Sequence, residues 1–195
     1  MKKVFLVIIF MCMSGSLFAD EARGRVDKLS QEATALIDRY VHDKPDPMIM
    51  DSISPYYGQI VQMGAEAVEP ILAALKNDDP AYVEERLSFI YILGQIGDPR
   101  AYAALREAFL QGDGREGSKW RGMISLGSCL TKDRIDDYIA LAIADATGGG
   151  MRALQEMSGQ DLGADAQKWA AYLKSPESFE LFRKNCRQRS APILG

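Results

Sequence analysis

His42 is the only histidine in the 195-residue chain and stands beside Asp43. That single imidazole excludes metal centres built from several histidines. Cys129 and Cys186 have no histidine near them in sequence that would activate a thiolate nucleophile. Two readings of the pair stay open, a disulfide formed in an oxidising compartment or two small buried apolar groups. The acidic pairs Asp78-Asp79 and Asp136-Asp137 are of the type that does general acid and base work, but they fall at predicted helix starts. Carboxylates there cap exposed backbone N–H groups and offset the helix dipole, which accounts for them without catalysis.

Two glycine clusters carry the letters of phosphate chemistry. Gly112-x-Gly114-x-x-Gly117 matches a dinucleotide fingerprint, yet no predicted strand leads into it, so it reads as a loop between helices. Gly148-Gly149-Gly150 lacks the lysine and hydroxyl residue of a phosphate loop and reads as a flexible joint. There is no Gly-x-Ser-x-Gly nucleophile elbow. Tyr56, Tyr57 and the Trp120-Arg121 pair have the residue types that anchor protein interfaces, and each would serve equally well in a core. The predictions are therefore no catalytic residue, no cofactor and no metal, with the binding face unassigned.

The elements that would carry these residues are helical throughout. Val26, Leu29, Ala33, Leu36, Ile37, Tyr40 and Val41 line one face of a first helix ending near His42. Asp43 to Pro47 breaks it, with Asp46 as an N-cap, and a helix over 48–63 follows, interrupted at Ser54-Pro55. Val68, Ile71, Leu72 and Leu75 form the stripe of a short helix, and Asn77-Asp78-Asp79-Pro80 ends it and caps the next. From Leu87 to Leu93 nearly every residue is apolar, which predicts a central helix covered on several sides. Gly94 and Gly97 weaken its end. Ala101, Tyr102, Leu105, Ala108 and Phe109 face one way on the helix begun by Asp98-Pro99. Sustained two-residue alternation is absent, so no strands are expected.

A repeat organises these helices. Gln62, Gly64 and Leu72 recur as Gln95, Gly97 and Leu105, about 33 residues on. Leu93-Gly94 recurs as Leu126-Gly127, with Cys129 at the position of Ile96. In that third copy Asp133-Arg134-Ile135 takes the place of Pro99-Arg100-Ala101 with one inserted residue, and Tyr138, Ile139 and Ala142 form its second stripe. Beyond Gly150, Ala153, Leu154 and Met157 support one helix, and Ala166, Trp169, Ala170 and Leu173 another. Ser175-Pro176 starts a last helix carrying Phe179, Phe182 and Cys186.

Lys2-Lys3, the apolar run Val4 to Met13 and the small residues up to Ala19 read as a secretory leader, residues 1–19, with a cut after Ser16 as the alternative. A run this short does not make a spanning helix, which needs roughly 20 apolar residues. The chain is acidic, with 23 basic and 27 acidic residues and a net charge of −4, and losing Lys2 and Lys3 makes it more so. Nucleic acid is a poor partner for such a surface. The expected localisation is outside the cytoplasm, in a periplasm or beyond the cell.

Leu93-Gly94-Gln95-Ile96-Gly97-Asp98-Pro99-Arg100-Ala101, followed by Leu105, resembles the short HEAT-like repeat of bilin-lyase-type and related bacterial proteins. The resemblance extends over about 48–146 and is preferred to the tetratricopeptide repeat because Asp98-Pro99 stops the helix too soon for that pattern. It implies an all-α fold, a right-handed α-α superhelix of stacked helical hairpins. Residues 20–187 would form one domain, with a closing cap over about 151–187 and a loose tail over 188–195. The segment Met157 to Trp169 resembles a closing motif that follows such repeats in exported proteins. Gly159 and Gly163 would permit tight turns, Asp165 would cap a helix, and Trp169 would cover the open end.

Deoxyhypusine hydroxylases, another family with HEAT-like repeats, hold iron on paired His-Glu motifs, which this chain lacks. No residue matches the catalytic groups of the bilin lyases either. The expected role is an exported scaffold that binds another protein or a peptide, without stable membrane insertion. The alternatives are a lyase-like or enzyme-accessory subunit holding a small molecule in its groove, and a structural envelope protein.

Overall fold

A computed structural model describes residues 28–43, 55–111 and 116–190, and in those residues the only regular structure is helical. Helix α1 covers 28–42 and buries Ala33, Ile37 and Val41, the stripe its sequence spacing predicts. The proposed N-cap at Asp46, the break at Ser54 and the leader lie outside the described residues. Helix α2 runs Pro55–Met63, and a short tight turn, Gly64–Ala67, passes the chain to α3, Val68–Ala74.

Proline at the first helical position and an aspartate just before it define the next two starts. Asp79 accepts a hydrogen bond from the Ala81 N–H at 2.9 Å and opens α4, Pro80–Glu84. Asp98 accepts one from the Arg100 N–H at 2.9 Å and opens the turn Pro99–Ala101. Each bond satisfies a backbone donor that has no partner inside its helix. Between these starts lies α5, Arg86–Ile96, which ends on Gly97 at φ +66°. Gly64 closes α2 at φ +59°. Both are left-handed positions that only glycine occupies without a Cβ clash, so the repeated glycine is a repeated turn.

Helix α6, Tyr102–Gln111, follows the turn, and α7, Glu116–Ser128, packs on α5, α6, α9 and α11. Helix α8 is Ile135–Ala144, α9 Gly149–Ser158, α10 Ala166–Lys174 and α11 Pro176–Arg189. The turn of the third copy spans Lys132–Arg134, and α8 begins at Ile135. These starts stand at the same offset from Pro99 and Tyr102 as Gly127 does from Gly94. The one-residue insertion expected in this turn is therefore absent. Thr131 occupies the place of Asp98 and extends the backbone there without a side-chain cap.

Three further expectations change. Gly94 does not fray the end of α5; it is buried inside the helix, where an added Cβ would lie 2.5 Å from Ser125 Oγ and 2.9 Å from Ser125 Cα. Its equivalent Gly127 faces Cys186 Sγ at 2.7 Å and the Tyr138 hydroxyl at 2.9 Å on the same test. The repeated Leu-Gly pair thus marks close approaches between neighbouring helices. Gly148-Gly149-Gly150 is a built helix start rather than a joint. Gly148 sits at φ +81°, Gly149 and Gly150 are buried in the first turn of α9, and Asp145 accepts from the Gly150 N–H at 2.8 Å. Finally, Arg187 to Arg189 belong to α11 and Ser190 is buried, so the chain is ordered past the expected start of the tail.

The closing segment follows its sequence. Gly159 and Gly163 adopt φ +68° and +59°, and Asp165 accepts from the Gln167 and Lys168 N–H groups. Trp169 is fully buried, and its indole donates to the Gly163 carbonyl at 2.7 Å, which satisfies its one polar atom. Helix α11 then folds back along α7, burying Phe179, Phe182 and Cys186. Its Arg183 donates to the carbonyls of Gly97 and Ser128, at the ends of α5 and α7. One guanidinium so ties two repeats to the cap.

Candidate binding groove

The apolar run of α5 faces two ways. Phe89, Ile92 and Leu93 are buried in the core, as expected, but Leu87 is 55% exposed. Leu87, Ile90 and Tyr91 stand at helical spacing on another face, where they meet Leu105, Ala108 and Phe109 of α6 across an open groove of about 260 Å³. Ser118, Lys119 and Gly122 of α7 close its third side. Val83, 42% exposed, lies one helical turn before Leu87, and Leu110, 53% exposed, follows Phe109. Apolar surface open to water on this scale marks a contact site more often than an isolated exposed leucine does.

Cations border the groove. Lys119 donates to the Phe109 carbonyl and lies over the Phe109 ring, 4.5 Å from its centroid. Arg121 covers the Tyr91 ring at 5.6 Å and donates to its hydroxyl at 3.3 Å. On the other side of α7, Trp120 carries two guanidiniums, Arg152 at 5.1 Å and Arg189 at 5.6 Å from its ring. Its indole donates to Glu156, which also accepts from Arg152 at 2.7 Å. Arginine on an aromatic face keeps its charge outward while burying the ring.

The residues singled out from sequence are dispersed. Tyr57 belongs to the core, whereas Tyr56 is half-buried and donates to Asp43 at 3.2 Å. Trp120 and Arg121 reach the surface, on opposite sides of α7 from each other's partners. His42 ends α1 beside Asp38 at 3.4 Å and packs against Tyr82. Asp79 is a cap, and its neighbour Asp78 pairs with Arg86. Asp136 and Asp137 sit in the first turn of α8 but are held by side chains, Lys174 at 3.0 Å and Arg106 at 3.0 Å. Of the two phosphate-like motifs, residues 112–115 lie outside the described residues, while Gly117 is inside α7.

Cys129 and Cys186 are free thiols, both fully buried, so the structure has the second of the two arrangements weighed from sequence. Burial raises the Cys129 thiol to about 11 and pushes Cys186 well above its ordinary value. Thiols held in this state are poor nucleophiles at neutral pH. Among the described residues no group of three or more His, Cys, Asp or Glu is placed to hold a metal ion. No helix among them is long and apolar enough to cross a membrane.

Sequence reading missed Leu87, Tyr91, Lys119, Arg152 and Arg189. The signal for the first two was present, because Leu87, Ile90 and Tyr91 keep a helical spacing distinct from that of Phe89, Ile92 and Leu93. The cations left no signal, since α9 and α11 reach Trp120 only through the tertiary fold.

Residues 85–111, which form α5, its turn and α6, match the family described as PBS lyase HEAT-like repeat. Comparison with curated proteins and with solved structures returns no match.

Proposed function

We propose that the chain, in which residues 85–111 match a HEAT-like repeat, is a non-catalytic scaffold that takes another protein or a peptide on its stacked hairpins. Such stacks present extended surface and hold it rigid, and what they do is decided by the sites on that surface. The observation that carries this reading is the groove between α5, α6 and α7, an apolar trough open to solvent. Its volume of about 260 Å³ and its open sides suit inserted side chains of a larger partner. With the leader read from residues 1–19, the scaffold would work outside the cytoplasm, and the mature chain would begin at Asp20.

A photo-reactive residue placed at Leu87 tests the reading in intact cells. Reproducible protein adducts, absent when the probe is moved to Lys76 on the exposed end of the first hairpin, are the expected result. A purified mature protein that carries a stoichiometric small molecule by mass spectrometry, and gives no protein adduct at any exposed position, would overturn it.

A further inference from the structure

We propose a second contact surface, formed by Lys132, Arg183 and Arg187 where α11 meets the C-terminal ends of α5 and α7, which takes a carboxylate-rich segment of a protein partner. It rests on the scaffold reading only for the partner being a protein. Three observations gather these cations. Lys132 Nζ lies 6.0 Å from the centroid of the Phe179 ring, and the Arg183 guanidinium lies 5.7 Å from it. Arg187 stands one helical turn beyond Arg183 on α11, and a Cβ at Gly97 would come 2.5 Å from its Nε. Arg183 donates to the carbonyl of the same Gly97 at 3.3 Å.

The fold accounts for Arg183, whose Nε and Nη2 hold carbonyls at two helix ends, where the dipole favours a cation. Lys132 and Arg187 are exposed and make no hydrogen bond or ion pair among the described residues. One repeat earlier the same edge is matched in charge. Arg100, which donates to the Ala65 carbonyl, pairs with Asp98 at 2.9 Å and lies 3.6 Å from Glu69. In the third copy Thr131 and Lys132 stand where Asp98 and Pro99 did, so Asp98 to Ala101 is neutral whereas Thr131 to Arg134 carries one net positive charge.

The carboxylates nearby have other balances. Asp98 is held by Arg100, and Asp133 lies 4.0 Å from Arg134. Glu180 stands four residues before Lys184, the helical spacing at which the two charges offset each other. Glu177 lies in the first turn of α11, where the dipole favours an acid. Three cations are left over on a chain of net charge −4. They are spread across a ring and along a helical turn, which matches successive carboxylates on a peptide better than the oxygens of one phosphate, on which cations converge. Their field draws an acidic segment to this edge and sets its orientation.

The test titrates the mature chain into labelled peptides, read by fluorescence anisotropy. One peptide has glutamates spaced by glycine and serine, and the other has lysines in place of the glutamates. The acidic peptide is expected to bind, more weakly as salt rises, and the basic one is not. Lys132→Glu and Arg187→Glu are each expected to weaken binding by about fivefold or more, whereas Lys76→Glu, the same change of charge on the first hairpin, is expected to stay within about twofold. Arg183 is left intact because it holds two helix ends. Melting curves check that the variants fold, and glutamine replaces glutamate in any that does not.

Failure of the acidic peptide, equal binding of both peptides, or equal loss in all three variants would overturn the assignment. So would displacement of the peptide by inorganic phosphate where chloride at the same ionic strength leaves it bound. Retention on phosphatidylglycerol vesicles without peptide binding would overturn it as well. If the peptide fails while Leu87 adducts form in cells, this surface is wrong and the scaffold reading stands. If it binds with the expected pattern while no exposed position yields an adduct, the surface stands and the scaffold reading falls.

Discussion

Arg106 and Asp137 form a two-pronged pair between the second helices of adjacent hairpins. The Arg106 Nε lies 3.0 Å from one carboxylate oxygen, and its Nη2 lies 3.1 Å from the other. Tyr102 adds its hydroxyl to the same carboxylate at 3.1 Å. Arg100 does comparable work one repeat earlier, donating to the Ala65 carbonyl at 2.6 Å and reaching Glu69. Repeats are therefore stitched along their turn-side edge by arginine as well as by the apolar core, and the groove depends on that register because α6 supplies one of its walls.

A double-mutant cycle measures the stitch. Arg106→Ala and Asp137→Ala are each expected to destabilise the fold only slightly, because both groups are near 40% exposed and water screens them. The fork geometry places the pair toward the upper end of surface pairs. Denaturant unfolding of the two single variants and the double variant gives the coupling directly. A coupling of zero would mean that apolar packing alone sets the register.

Glycine substitutions divide by position. Gly94→Ala and Gly127→Ala put a Cβ within 3 Å of a packed neighbour and are each expected to cost about 1–3 kcal/mol. Gly58→Ala and Gly117→Ala meet nothing within 4 Å, on exposed helix faces, and are expected to stabilise by about 0.5–1 kcal/mol. Thermal melts of the four variants check both signs. Tolerance at Gly94 would contradict the close approach of α5 to α7, and destabilisation at Gly117 would contradict the open space around it.

Alkaline pH is expected to unfold the protein. Burial raises Cys129 from 9.0 to about 11 and Tyr40 from 10.0 to about 12, and Tyr57, Tyr102, Tyr138 and Cys186 move the same way for the same first cause. A raised folded-state pKa means that the folded chain keeps a proton the unfolded chain has released. Stability from these groups is complete below their unfolded values and is lost as pH climbs through the folded ones. Melting temperatures should therefore hold up to about pH 8.5 and fall steadily from there toward pH 11. Native-state alkylation at neutral pH should leave both thiols unmodified until denaturant is added.

Much of the scaffold was legible in the chain because helix starts, turns and repeats are local. Asp98-Pro99, Gly97 and Asp165 act within a few residues of themselves, and the structure uses each as its spacing requires. The structure corrects the reading of Gly94, because a close helix approach depends on residues far along the chain, and of 148–150, where the Asp145 side chain braces a turn that glycine content alone does not reveal. The same limit applies to the groove. Leu87 looked like core, since nothing local distinguishes a buried apolar position from one left uncovered. Trp120 was visible as a candidate, but its two arginines come from α9 and α11, and only the folded chain brings them together.

Amide hydrogen exchange of the mature chain, with and without the protein captured by the probe at Leu87, tests the central claim most directly, because it locates the occupied surface without any substitution. Added protection concentrated in 86–91, 105–111 and 116–122, on the helices that wall the groove, is the predicted result. Protection confined to α9–α11, or none at a partner concentration that saturates binding, would contradict it.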